Sequence, residues 1–243
     1  IYAGLVMGIS LFITPDTSSL TYLACSSLLV ALGIADDAKD LSPKFRLLVQ
    51  SVVAVMMCSV DGMHLQSLGN IFGSGDINLG MAGYAVTVLA VIGAINAFNM
   101  IDGIDGLLGI SSLVTFVSMG ILFYLNNDTT SMNLALIISV ALVPYLVANL
   151  GLSRAMFKKI FMGDTGSMLI GFTVVWLLVQ GTHATQESTG NVAFSASAAL
   201  WLIAFPLMDM VRVIGSRVLR GNSPLNADRS HLHHLLQDTY GDS

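Results

Sequence analysis

Charge is scarce in this sequence: Asp, Glu, Lys and Arg make up 10% of its 243 residues. A soluble domain carries roughly 25%, so this chain cannot cover a water-facing exterior with polar groups. Lipid as the surrounding solvent removes the conflict. Cysteine is sparse too. Cys25 and Cys58 both lie inside apolar runs, which excludes a disulfide framework and a cysteine-built zinc site. Positive charge is in the minority, 10 Lys and Arg against 15 Asp and Glu for a net charge of -5. Nothing in that balance suggests a nucleic-acid partner, and none is expected. Strand-like alternation over ten-residue units is missing, which excludes a membrane barrel. Internal repeats and low-complexity tracts are missing as well, so residues 1–243 read as one domain.

What the chain has is apolar length. Hydrophobic residues reach 54%, and the mean hydropathy is +0.77. A spanning helix needs roughly 20 apolar residues, and eight runs approach that: 1–13, 18–35, 45–60, 80–98, 106–125, 131–151, 166–182 and 192–214. Backbone groups in lipid must be satisfied within their own segment, so each run is expected to be a helix. The fold class is therefore all-α, a polytopic transmembrane bundle of about eight spans. The chain opens at Ile1 in the middle of an apolar run, and its last residues, Gly241-Asp242-Ser243, give no structural stop. It is expected to be part of a longer protein, truncated at both ends.

Numbering the connecting loops alternately sorts the charges. Residues 36–44, 99–105, 152–165 and 215–243, with their helix ends, hold every basic residue: Lys39, Lys44, Arg46, Arg154, Lys158, Lys159, Arg212, Arg217, Arg220 and Arg229. Residues 14–17, 61–79, 126–130 and 183–191 hold none, but carry Asp16, Asp61, Asp76, Asp128 and Glu187. The positive-inside rule assigns the first set to the cytoplasm. In 61–79, the glycines Gly73 and Gly75 between two short polar–apolar stretches predict a small hairpin.

Four polar stretches fall in the first set. Asp36 and Asp37 are adjacent carboxylates at the end of a run, where like charges repel unless a cation is near. Lys39, Lys44 or Arg46 could supply it, or bind a phosphate. Asn96, Asn99, Asp102 and Asp105 are spaced by three and would share one helical face, at a membrane boundary where polar groups are costly and usually functional. Asp164, in Met162-Gly163-Asp164-Thr165-Gly166-Ser167, reads either as a helix cap or as a ligand for a divalent ion that already holds phosphates. His231, His233 and His234 cluster beside Arg229 without zinc spacing, and suit a phosphate surface. Asp209 and Arg212 are placed for a structural i, i+3 pair. Carboxylates, amides and cations together suit a hard metal ion and phosphate oxygens. A secondary transporter is the rival reading, but carriers place ionisable residues near the midplane. A membrane phosphatase or phosphatidyl transferase would use similar residues.

These same stretches, DDAKD at Asp36, NAFNMIDGIDGL at Asn96, FMGDTGS at Phe161 and HLHH at His231, resemble the polyprenyl-phosphate N-acetylhexosamine-1-phosphate transferase family. They stand in the family's order, and the likeness is strongest to its undecaprenyl-phosphate N-acetylglucosamine branch. The peptidoglycan-precursor branch is the alternative. The resemblance implies transfer of a sugar-1-phosphate from UDP-GlcNAc to undecaprenyl phosphate with release of UMP, an early step of cell-surface polysaccharide synthesis. It implies Mg2+, with Mn2+ as a substitute, in a bacterial inner-membrane enzyme whose site faces the cytoplasm. It leaves a homodimer open. Residue by residue, it implies Asp164 and Asn99 as metal ligands and Asp36 and Asp37 as the catalytic pair. It assigns Asp102 and Asp105 to the nucleotide, and Lys44, Arg46, Arg229, His231, His233 and His234 to phosphate or sugar.

Overall fold

A computed structural model describes residues 1–71, 73, 75–152, 160–183 and 192–219. Arg154, Lys158, Lys159, Glu187, Arg220, Arg229, His231, His233 and His234 lie outside the described residues, so the expectations attached to them have no structural counterpart here. The elements are α1 (Tyr2–Phe12), α2 (Thr17–Lys39), α3 (Pro43–Val60), α4 (Ala82–Met100), α5 (Leu107–Leu125), α6 (Thr129–Asn149), α7 (Gly163–Gly181), α8 (Ala196–Leu202) and α9 (Ala204–Leu219). Among the described residues the only β pairing is the bridge Ser67–Asn78. It is the core of the expected hairpin, closed by Leu68 N–H to Ile77 O at 3.0 Å and Leu79 N–H to Gln66 O at 2.8 Å.

Helix starts follow the local chemistry. The Asp16 side chain accepts from the Ser19 N–H while Ser19 Oγ accepts from the Asp16 N–H, a reciprocal cap that begins α2. Ser42 followed by Pro43 begins α3, the serine accepting from Phe45 N–H and the proline sitting where its missing donor costs nothing. Asp128 caps α6 through Ser131 N–H.

Among the described residues six helices, α2 to α7, are long and apolar enough to cross a membrane, so the chain is an all-α, multi-pass membrane protein. The expected count of eight differs at its two ends. The first run forms only the 11-residue α1, too short to span alone. The last run is broken: α8 and α9 meet at 83° around Ile203. Pro206 gives the reason, since it has no N–H to donate to the Leu202 carbonyl and its ring crowds that turn. Counted as one span, the bent pair brings the total to seven.

α7 is the centre of the bundle. Every residue from Ser167 to Val179 is buried, as expected of a helix apolar all round. It packs between α2 and α4, with α5 and α6 also against it; α3 spans α2 and α4, α1 lies on α6, and α9 lies on α4. Tyr22 donates or accepts a 2.7 Å bond with Thr173, stacks on Phe172 and meets Trp176 edge-on. Lipid is as apolar as these side chains, so close backbone approach contributes much of the association. Gly33 shows this: a Cβ there would land on the Thr165 backbone. Gly33→Ala is expected to separate α2 from α7 and lower stability by about 1–3 kcal/mol. A thermal melt in detergent would show the loss, and an unchanged melt would contradict the tight packing.

Candidate active site

Alternating helices bring the ends of α2, α4 and α6 together with the starts of α3, α5 and α7. Asp36 is in the last turns of α2, with its side chain 2% exposed. Its Oδ2 accepts from Arg46 Nη1 at 2.8 Å, and its Oδ1 from Leu41 N–H at 2.8 Å. The cation expected beside the aspartate pair is therefore Arg46, not Lys39 or Lys44. Lys44 is exposed and makes none of these contacts. Arg46 Nη1 also reaches Asp164 Oδ2, at 3.4 Å. Its guanidinium thus joins α2, α3 and α7.

Asp37 faces the other way. Its Oδ1 accepts from Asp164 N–H at 3.2 Å and its Oδ2 from Thr165 Oγ at 2.8 Å. The first N–H groups of a helix have no partner within it. Here a carboxylate from α2 supplies one, where the helix dipole also favours negative charge. Asp164 therefore does not cap its own helix; it sits in the first turn with its side chain 36% exposed. Gly163 before it has φ +70°, and its N–H bonds the Asp102 carboxylate. Few residues other than glycine take that backbone conformation readily.

Asn99 Nδ2 donates to Asp164 Oδ1 and to Ser167 Oγ, each at 2.9 Å. These two residues, 65 apart in sequence, meet at the boundary between α4 and α7. The expectation of one polar helical face is corrected. α4 ends at Met100, so Asp102 and Asp105 lie in the following turn. Asn96 serves a different neighbour, α3, where its Nδ2 donates to Gln50 Oε1 at 2.8 Å. A spacing of three drifts around a 3.6-residue helix, enough for Asn96 and Asn99 to serve different neighbours. Asp105 is exposed in the turn before Gly106. Asp209 pairs with Arg212 at 3.0 Å on α9, the structural pair expected.

Asp36, Asp37, Asp102 and Asp164 share this network with one guanidinium, which reaches Asp36 and Asp164. That excess of negative charge, built from hard oxygen donors, suits a divalent cation. Among the described residues no group of three or more His, Cys, Asp or Glu forms a closed metal cage. A Mg2+ ion held by one or two protein oxygens plus substrate phosphates does not need one.

Burial raises the Asp102 carboxyl from 3.8 to about 6; the Gly163 N–H opposes the rise and the Asp164 charge adds to it. The folded value lies above the unfolded one, so the fold favours the protonated acid. Stability is lost as pH climbs from about 4 to about 6, and the deficit persists above that. Asp102→Asn keeps an acceptor for Gly163 and cannot ionise. Its melting temperature is expected to exceed wild type above about pH 6 and to match it below about pH 4. A gain that grows as pH falls would contradict the burial penalty.

Several contributors escaped the sequence reading. Thr165 and Ser167 stood inside a quoted stretch but carried no assigned role. Gln50, 1% exposed, and Asn149, 2% exposed, are buried amides within or at the end of apolar runs. Their signal was available: a polar residue inside a span is costly and rarely idle.

The glycosyl transferase family 4 model matches residues 19–182. The chain is 44% identical over 238 residues to the undecaprenyl-phosphate alpha-N-acetylglucosaminyl 1-phosphate transferase of Salmonella typhi, covering 97% of the chain and 63% of that relative. The proteins of that name in Yersinia pestis and Haemophilus influenzae are 46% and 43% identical, over 88% and 91% of the chain and 57% and 61% of their own lengths. The chain thus spans about three-fifths of the length of these relatives. The family match runs from the first turn of α2 to the end of α7, across the helices that carry Asp36, Arg46, Asn99 and Asp164, and the chain belongs to glycosyl transferase family 4.

Proposed function

We infer that this chain is the core of a membrane transferase that moves N-acetylglucosamine-1-phosphate from UDP-GlcNAc to undecaprenyl phosphate. A lipid-phosphate oxygen attacks the sugar-linked phosphorus, the bond to the bridging diphosphate oxygen breaks, and UMP leaves. The observation that carries this reading is the polar network at one end of the bundle, where Asn99, Asp164, Arg46 and Asp36 from four helices meet. The names of the similar proteins support the same acceptor and sugar.

Phosphoryl transfer needs positioning and charge neutralisation more than covalent help from the protein. Asp164 and the amide oxygen of Asn99 would hold Mg2+, or Mn2+ in its place. The ion, when bound, neutralises charge on the diphosphate oxygens. Asp102 and Asp105 face the nucleotide from their turn. Arg46 and Lys44, beside the membrane boundary, offer positive charge to the lipid phosphate, and Arg229, His231, His233 and His234 do so for the sugar phosphate. A phosphomonoester has a second pKa near 6, so the attacking group is already largely dianionic at pH 7 and needs little help from a base. Asp36 is engaged with Arg46, and Asp37 with the start of α7. Their contribution is to orient a guanidinium and a helix end. With this end facing the cytoplasm of the bacterial inner membrane, the site meets both a cytosolic nucleotide sugar and a lipid that stays in the bilayer. A carrier would place its ionisable groups near the midplane, and this network lies at a helix boundary.

The test is incubation of the full chain with polyprenyl phosphate and either UDP-GlcNAc or UDP-GalNAc, with and without EDTA. UMP and a lipid-linked GlcNAc product are expected, and EDTA should abolish both. Absence of UMP release would sink the reading.

A further inference from the structure

Asn149 is the last residue of α6 and is 2% exposed. Its carboxamide serves two backbone groups outside the helices' own ladders. Oδ1 accepts from Gly106 N–H at 2.6 Å, and Nδ2 donates to the Ile160 carbonyl at 2.9 Å. These partners set the orientation of the amide, because an N–H requires an acceptor and a carbonyl requires a donor.

Both partners sit at strategic points. Gly106 closes the turn that carries Asp102 and Asp105. Ile160 leads directly into Met162, Gly163 and Asp164. The same two segments meet again where Gly163 N–H bonds Asp102. Asn149 therefore ties them from the buried side, and the Asp102 contact ties them from the site side. Losing the amide would leave the buried Gly106 N–H without its acceptor and take from the Ile160 carbonyl, at an exposed residue, its side-chain donor, so that each segment would shift toward water. Shifts of about 1 Å in a site-bearing segment are enough to misplace bound substrate.

We propose that Asn149 is a positioning residue that keeps the Asp102–Asp105 turn in register with the Asp164 turn and thereby sets affinity for the nucleotide diphosphate of the donor. This rests on the reading of the site as one for a nucleotide sugar. The residue does not touch the reacting atoms; it acts through the two backbone segments it joins.

Two variants separate the bonds. Asn149→Leu removes both at similar volume. Asn149→Asp keeps the acceptor for Gly106 N–H and removes the donor to Ile160. Hydrogen exchange on the full chain in detergent is the first readout. Asn149→Leu is expected to speed exchange by about tenfold in both 101–107 and 160–165, with 61–71 unchanged. Asn149→Asp should speed exchange in 160–165 alone. Kinetics are the second readout. The KM for UDP-GlcNAc should rise about 10- to 100-fold in Asn149→Leu, with the KM for polyprenyl phosphate held within about twofold. Unchanged exchange in either segment of Asn149→Leu overturns the coupling. Equal rises in both KM values overturn the nucleotide assignment. Should Asn149→Leu fail to fold, the one-sided pattern in Asn149→Asp carries the test, and exchange in both segments or neither overturns it. If the wild-type protein releases no UMP, the functional reading has failed, yet the exchange pattern still decides whether Asn149 couples the segments.

Discussion

Asp164→Ala is expected to cut turnover by at least about 10²- to 10³-fold while leaving the bundle folded. The carboxylate is part-exposed, accepts one short bond from Asn99, and has a longer contact to Arg46. Its removal costs little packing. Asn99 keeps Ser167 as a partner, and Arg46 keeps Asp36. Asp36 and Asp102 lose a neighbouring like charge, which offsets part of the lost bonding. The functional cost is of another kind. Without Asp164, the proposed metal position loses its only charged ligand, and charge on the departing UMP goes unneutralised. UMP release from radiolabelled UDP-GlcNAc, followed across a Mg2+ titration, would show both the fall in rate and a weakened metal dependence. Near-normal turnover in that variant removes the metal assignment.

Arg46→Ala should damage both stability and activity. It strands the Asp36 carboxylate, whose side chain is 2% exposed, with Leu41 N–H as its remaining donor. Breaking a buried ion pair from one side costs about 3–5 kcal/mol. The low end applies, because the Arg46 side chain is 29% exposed and water can reach the vacated space. Replacing both partners with apolar residues of similar size is the informative comparison. The double variant Asp36→Leu, Arg46→Met should recover most of the melting temperature, since a buried pair replaced as a unit is often neutral. Its turnover should stay lost, because the guanidinium offered to the lipid phosphate is gone. Recovery of turnover along with stability would make the pair purely structural.

Much of this was legible in one dimension, for a definite reason. A bilayer imposes a length and a polarity on every crossing segment, and both are written along the chain. Runs 18–35 through 166–182 therefore became α2 to α7 with boundaries shifted by a few residues. Where the outcome differed, the local signal was weaker or competing. Pro206 breaks an apolar stretch that hydropathy reads as continuous. The turn after Met100 carries glycines that end the helix before Asp102. The three candidate cations near Asp36 are alike in sequence, and only the return of α3 alongside α2 selects Arg46.

Composition and periodicity were sufficient to indicate a membrane bundle, the helix ends that carry the Asp36, Asn99 and Asp164 stretches, and the oxygen-rich chemistry of those stretches. Which stretches touch, with Asn99 on Asp164, Asp37 at the start of α7 and Asn149 across two turns, had to come from the packed molecule. So did the central place of α7. Hydropathy ranks a segment by its preference for leaving water, and it does not distinguish lipid from protein as the destination. That choice is made by close packing and by a few interhelical hydrogen bonds between residues far apart in the chain.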